Sequence, residues 1–493
     1  MTGKSSLGKI SDSYQMSFLI WEAQLMSFVT QNLKRPMLAS CLLVIACISF
    51  FCVVHSAQEN SAQYAGKSDG SSNRRRGLLI LADIRQILEQ KYYDRAVRGM
   101  DSKKRFKEAE EQIKKQDMNW QIYRTIAQVL IELNDSHTNF LPPDRLYRVE
   151  YGFTSMLIGN RCFVVDVKKG TDAEKKGLRP GDEIVAFDAF SPNRDNYWVI
   201  NYLIYGLDPQ ENLKLKLQNP DGKTKDIVIQ SKFLSPKERK EERKKRKADE
   251  QSKPYKCQVV SEEVIACKLR TFEVEKGVID SMMKEVGSRK KLILDLRGNG
   301  GGLVSTEMYL TGRFFEKDIV VGTEVVRDSA KQRAAPGSAE KAYKGELSVI
   351  IDSESASASE VFARTIQIEK RGKVFGDTSA GAVMTSVGYE ITTPLYGNRI
   401  ETQQPYQVSF VSVSVGDLVM SDGKRLEGIG VTPDIPVGPS PVALFNKTDP
   451  VLAVVAEAFG SPITAEKAGT FYFLVPKSED AVDQDDSPDG KDD

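Results

Sequence analysis

The chain has 493 residues, 40% of them apolar and 28% charged, and its 69 Lys and Arg nearly balance 68 Asp and Glu for a net charge of +1. That length suits two to four domains, the composition excludes wholesale disorder, and the neutral balance removes any global electrostatic case for nucleic-acid binding. With one long apolar run, the chain is not a multi-span membrane protein.

That run is residues 37–54, preceded by Lys34 and Arg35 and followed by His55, Ser56 and Ala57. A basic flank, an apolar segment and small residues are the layout of a secretory signal. Residues 1–57 are therefore expected to export the chain, as a signal cleaved after Ala57 or as a retained membrane anchor. The remainder would then be periplasmic, extracellular or held at a membrane facing outward. Residues 58–76 are small, polar and basic and read as a disordered linker.

Leu79, Ala82, Ile84, Ile87 and Leu88, then Trp120, Ile122, Ile126, Val129 and Leu130, recur at helical spacing, which predicts a helical domain over 77–150. Residues 151–233 switch to short strands, at 162–167, 183–187, 213–217 and 227–229, separated by turn signals. Residues 234–254 are nearly all charged and read as a solvated linker, with contact to an acidic partner or membrane surface as the functional alternative. Over 255–475, strands at 292–296, 347–351 and 374–376 alternate with helices at 305–315, 358–369 and 449–459. This predicts an α/β core with a mainly parallel sheet. Residues 476–493 are acidic and expected to be disordered. The fold class is α/β multidomain. Outside the apolar run lie Cys162, Cys257 and Cys267; the last two flank a hairpin-like segment, where one bridge or two buried thiols are equally admissible.

Three segments carry chemistry. Residues 298–302 follow a buried strand, and their glycines let the backbone turn sharply and present N–H groups to an oxyanion or phosphate. The loop fits neither nucleotide-binding pattern. Residues 352–360 (Asp-Ser-Glu-Ser-Ala-Ser-Ala-Ser-Glu) lie between a strand and a helix, where open sheets place their sites. A serine on such a turn is either a nucleophile or a helix cap. Asp135-Ser136-His137-Thr138 contains the one histidine left once residues 1–57 are removed, and a serine nucleophile needs a base.

Together, and in this chain order, GLRPGDEI, DLRGNGGGL, SASASEVFA and EGIGVTPDI resemble the carboxyl-terminal processing (tail-specific) serine proteases and the tricorn core, over residues 79–437. The resemblance implies a PDZ-like β-rich domain at 151–233, a protease core at 255–475 and a serine endopeptidase without cofactor or metal. It puts the nucleophile at Ser357 and the oxyanion hole at Gly301 or Gly302 together with Ala358. The chain departs from the best-known branch, because the position of that branch's lysine base is Ala382. The tricorn-like branch instead pairs adjacent Ser and His with a glutamate, which falls on Ser136, His137 and Glu427, with Glu401 and Asp377 as other acids. A PDZ-like domain implies that Gly152 and Phe153 hold substrate C-termini, making the partners proteins or peptides with accessible ends. The rival expectation is an inactive relative that binds peptides as a scaffold.

Overall fold

Helical spacing of apolar residues builds the first part of the chain. The computed structural model describes residues 70–143, 148–235, 237–241, 253–394 and 406–474. Helices α1 (Gly70–Lys91), α2 (Ser102–Ile113) and α3 (Asn119–Ile131) bury Ile80, Ile84 and Leu88 against Phe106, Ile113, Ile122, Ile126 and Leu130. The Asp101 side chain caps α2 by accepting from the Lys104 amide, a contact worth ~1 kcal/mol. Helix α1 begins inside the segment read as a linker, which corrects that expectation for residues 70–76. Asn73 and Arg76 are buried there: Asn73 Nδ2 donates to the Asp117 carbonyl, and Arg76 donates to Asn73 and to Asn119. Tertiary partners turn a polar stretch into the first turns of a packed helix. Among the described residues no helix is long and apolar enough to cross a membrane; the apolar run at 37–54 lies outside them.

After the short strands β1 (Asn139–Leu141) and β2 (Arg148–Glu150), the chain enters a five-stranded antiparallel sheet. Its strands β3 (Phe153–Ile158), β4 (Arg161–Val167), β5 (Glu183–Phe187), β6 (Asn212–Gln218) and β7 (Thr224–Gln230) lie in sequence order. Along β6, Leu213, Leu215 and Leu217 alternate inward, as a half-buried strand requires. They meet Val164, Phe187 and Ile229 together with helices α4 (Asp172–Lys175) and α5 (Tyr197–Asn201). Strand β8 (Lys232–Leu234) returns to pair with β2.

The remaining chain forms a second sheet from β9 (Tyr255–Val259), β10 (Val264–Leu269), β11 (Lys291–Asp295), β14 (Glu346–Ile351), β15 (Lys373–Gly376) and β18 (Ile435–Pro436). All its pairings are parallel except β9 with β10, where Cys257 and Cys267 face each other and form a disulfide. Strands β10, β11 and β14 are buried almost throughout, because both faces are covered, as parallel sheets demand. Helices α6 (Lys276–Val286), α7 (Val304–Gly312) and α8 (Ala358–Ile368) cover one face, and α10 (Pro450–Ala458), which follows α9 (Pro441–Asn446), covers the other. The parallel register aligns the carboxyl ends of β11 and β14, so the glycine loop and the serine loop emerge side by side. Two hairpins complete the core. Strands β12 (Ile319–Val326) and β13 (Ser329–Ala335) pair, as do β16 (Thr385–Pro394) and β17 (Tyr406–Met420); β17 also pairs with β12 and β1. Through Ile391, Val411 and Val413 this second hairpin packs on the N-terminal helices.

Candidate active site

Ser357 sits at the turn between β14 and α8 with φ +54° and ψ −116°, a backbone region costly for any side-chain-bearing residue. The turn is held open by its neighbours. The Asp352 carboxylate accepts from Gly298 N at 2.9 Å and Glu354 N at 3.1 Å, Ser355 Oγ donates to the Leu296 carbonyl at 2.8 Å, and Ser359 Oγ donates to the Asn299 carbonyl at 2.8 Å. A strained strand-to-helix turn of this kind exposes a serine hydroxyl at a helix N-terminus. The Ser357 amide donates to the Ala382 carbonyl at 2.8 Å and to Glu360 Oε2 at 3.0 Å.

The glycine loop presses against this turn. A methyl on Gly301 would lie 2.7 Å from Ser357 Cβ, and Gly301 has φ +100°, so glycine is required twice over. The two oxyanion candidates from this loop are not equivalent. Gly301 N donates to Asn299 Oδ1 at 2.9 Å and is committed there. No hydrogen bond among the described residues takes the N–H of Gly302 or Ala358, so these two remain available.

On the other side, α3 ends at a loop in which Ser136 and His137 are half-buried. Glu427 Oε1 accepts from Ser136 Oγ at 2.9 Å and from Ser136 N at 3.1 Å, and Ser136 Oγ lies 2.8 Å from His137 Nδ1. With the serine proton directed at the carboxylate, Ser136 Oγ accepts from Nδ1–H. The network thus assigns the tautomer in which Nε2 carries the lone pair. The other carboxylate oxygen, Glu427 Oε2, accepts from Val383 N at 2.8 Å. Since Ala382 holds the Ser357 amide, Ser357 and His137 are linked through Ala382, Val383, Glu427 and Ser136. Of the other acids, Asp377 pairs instead with Arg194 and Gly159 N, and Glu401 lies outside the described residues.

Residues 264–437 match the model of peptidase family S41. Over that segment the chain is similar to peptidase family S41. A probable CtpA-like serine protease of Staphylococcus aureus (strain COL) is 23% identical over 340 residues, covering 66% of this chain and 61% of that relative. The tail-specific protease of Haemophilus influenzae is 27% identical over 270 residues, 50% of this chain and 36% of that one. The chain thus spans about three fifths of the length of the CtpA-like relatives it matches. The crystal structure of mature CPAF is 13% identical and superposes with a TM-score of 0.56 over 81% of this chain and 96% of that one, a likeness of fold.

Three residues that organise this candidate site escape a reading by motif. Glu360 is fully buried and accepts from Ser379 Oγ, Gly381 N, Ala382 N and Ser357 N. Burial pushes its carboxyl up to about 7 against these four donors, which favour the charged form. Asn299 joins the glycine loop to Leu269 and Ala356, and Asp135 anchors the Ser136–His137 loop. Glu360 closes the SASASE segment and Asp135 adjoins Ser136, so proximity to the motifs was their signal.

Gly152 and Phe153 lie at the start of β3, away from this constellation. Both are buried: Gly152 takes φ +79° against Thr171, and Phe153 packs in the core of its own sheet. Two carbonyls of β3 accept hydroxyls from outside the sheet, Ser155 from Tyr197 Oη at 2.8 Å and Leu157 from Ser353 Oγ at 2.6 Å. Beside them, Arg194 donates to the carbonyls of Gly159 and Thr378 and pairs with Asp377.

Proposed function

We propose that the chain is an exported serine endopeptidase of the carboxyl-terminal processing type, with Ser357 as nucleophile and His137 as general base. The observation that carries this reading is the hydrogen-bonded series from Glu427 through Ser136 to His137, whose acid is also tied to the segment holding the Ser357 amide. His137 Nε2 takes the Ser357 proton as Oγ attacks a peptide carbonyl. The resulting imidazolium keeps Nδ1–H on Ser136 Oγ, which passes its own hydrogen bond to the Glu427 carboxylate, so the developing charge is compensated through the serine. The N–H groups of Gly302 and Ala358 stabilise the tetrahedral oxyanion, each by ~3–4 kcal/mol. His137 then protonates the leaving amine, and water hydrolyses the acyl-enzyme by the reverse route.

In the same proposal residues 151–233 act as a PDZ-like module that receives substrate C-termini near Gly152 and Phe153, by strand addition along β3. Residues 1–57 supply export. The positive φ of Gly152 supports a carboxylate loop there. The engaged Ser155 and Leu157 carbonyls require that Tyr197 and Ser353 yield as a peptide enters.

The test uses the full chain in mild detergent, an unfolded protein substrate and EDTA. The parent is expected to cleave, Ser357→Ala and His137→Ala to fall to background, and Ala382→Lys to gain nothing. Retained activity in His137→Ala alone would replace the base. An inactive parent rescued by Ala382→Lys would instead make the chain a peptide-binding scaffold.

A further inference from the structure

Asp135 is fully buried, and its carboxylate accepts four hydrogen bonds from three separate parts of the chain. Oδ1 accepts from His137 N at 3.0 Å and from Ser414 Oγ, on β17, at 2.8 Å. Oδ2 accepts from Thr138 Oγ1 at 2.9 Å and from Tyr92 Oη, just past the end of α1, at 2.8 Å. The same three parts are joined a second time, because Ser414 N donates to Thr138 Oγ1 at 3.0 Å and Tyr93 N donates to the Ser414 carbonyl at 3.0 Å. Asn134 precedes Asp135 with φ +47°, and Arg98, beside Tyr92 and Asp135, donates to the Asn134 carbonyl. A non-glycine residue in that region persists only where surrounding contacts over-determine it. Burial, and then the charge on Asp135, hold the Tyr92 phenol well above its ordinary range, so it stays a donor.

We infer that Asp135 is a positioning residue that fixes the His137 ring for proton transfer by fastening the Ser136–His137 loop to α1 and β17. The consequence is that the N-terminal helices form part of the active site. The inference rests on His137 being the base. Substituting Asp135 by Asn keeps the shape but turns an N–H₂ group toward two of the four donors, and Tyr92→Phe removes one donor while leaving the carboxylate.

The chain's two histidines, His55 and His137, make the test direct. A His55→Gln full chain labelled with ¹⁵N in the imidazole gives NMR signals from His137 alone. At alkaline pH the parent should show the proton on Nδ1. In Asp135→Asn and Tyr92→Phe the ring should become a mixture of tautomers, and kcat should fall about 10-fold or more, as for loss of a hydrogen bond to a charged group, with KM within about twofold. Ser414→Ala should behave as Tyr92→Phe and serves if Asp135→Asn does not fold. A lowered Tm with unchanged tautomer and unchanged kcat would overturn the inference, leaving Asp135 a stabilising residue only. The tautomer readout does not use activity, so failure of His137 as base and failure of Asp135 as its anchor are told apart.

Discussion

A single methyl group separates a working elbow from a displaced one at Gly301. Ser357 already occupies a backbone region that costs about 1–3 kcal/mol, and a Gly301 side chain would meet Ser357 Cβ at 2.7 Å. Gly301→Ala should lower kcat by about 100-fold, the scale of a lost oxyanion donor. Labelling of Ser357 by a fluorophosphonate should slow in proportion; unchanged labelling would mean that the loop does not set the elbow. Glu360 works on the other side of the same serine. Its charged form accepts all four donors, whereas its neutral form turns a proton toward one of them. With the carboxyl near 7, the rate should rise between pH 6 and 8. Glu360→Gln mimics the neutral form and should be slow, with a shallower rise over that range; a rise as steep as the parent's in this variant would exclude Glu360 as a contributor to it. The stability sign is opposite. A carboxyl raised in the fold from the ordinary 4.5 contributes stability that is present below 4.5 and lost as pH rises through 7. Ser357, Ser136, His137 and Glu427 were legible in the sequence because their side-chain types in those motifs name a chemistry. Glu360 and Asp135 were not, because a carboxylate becomes an anchor only through the donors that tertiary structure gathers around it.

At the scale of elements, the core strands were legible and the β12–β13 and β16–β17 hairpins were not. Strands β10, β11 and β14 are buried, mostly apolar runs because both sheet faces are covered, and their helices carry the matching spacing. Strand β17 defeats the same reading. It buries Gln407, Ser409, Ser412 and Ser414 while exposing Tyr406, Val408 and Phe410, so its binary pattern does not mark the inward face. Two of its three partners, β1 and β12, are also remote in the chain. The β9–β10 hairpin was legible, and the bridge between its opposed cysteines resolves the choice left by the sequence. Cys257 and Cys267 are 10 residues apart, and closing so short a loop stabilises by about 2–3 kcal/mol. The double Cys→Ser variant should therefore unfold at a lower denaturant midpoint with little change in slope. Because β9 lies at the sheet edge, remote from the loops after β11 and β14, kcat at 25 °C should be unaffected. A fall in kcat would show that the edge strand communicates with the site.

Across the whole molecule, the site is a junction: the helices deliver Ser136 and His137, the parallel sheet delivers Ser357 and the glycine loop, and the segment after β17 delivers Glu427. The antiparallel sheet touches the same junction from outside. Arg194 reaches from it to the Thr378 carbonyl and Asp377, while Gly159 N donates to Asp377. Ser379, Gly381 and Ala382, which follow directly, hold Glu360 and through it the Ser357 amide. A force on the antiparallel sheet therefore has a short path to the nucleophile, through an ion pair, the backbone of residues 377–382 and the hydrogen bonds of Glu360. The Arg194–Asp377 pair is only about a quarter exposed on either side, so it is screened less than a surface pair. Arg194→Ala should raise hydrogen exchange at Gly381 and Ala382 by about 10-fold, the effect of losing a charged hydrogen bond, and should lower kcat without unfolding the chain. Unchanged exchange at these amides would mean that the antiparallel sheet rests on the core without tightening it. In that case a signal from a peptide bound there would travel through the Gly159 N–Asp377 hydrogen bond or through Ser353, which joins β3 to the β14 turn.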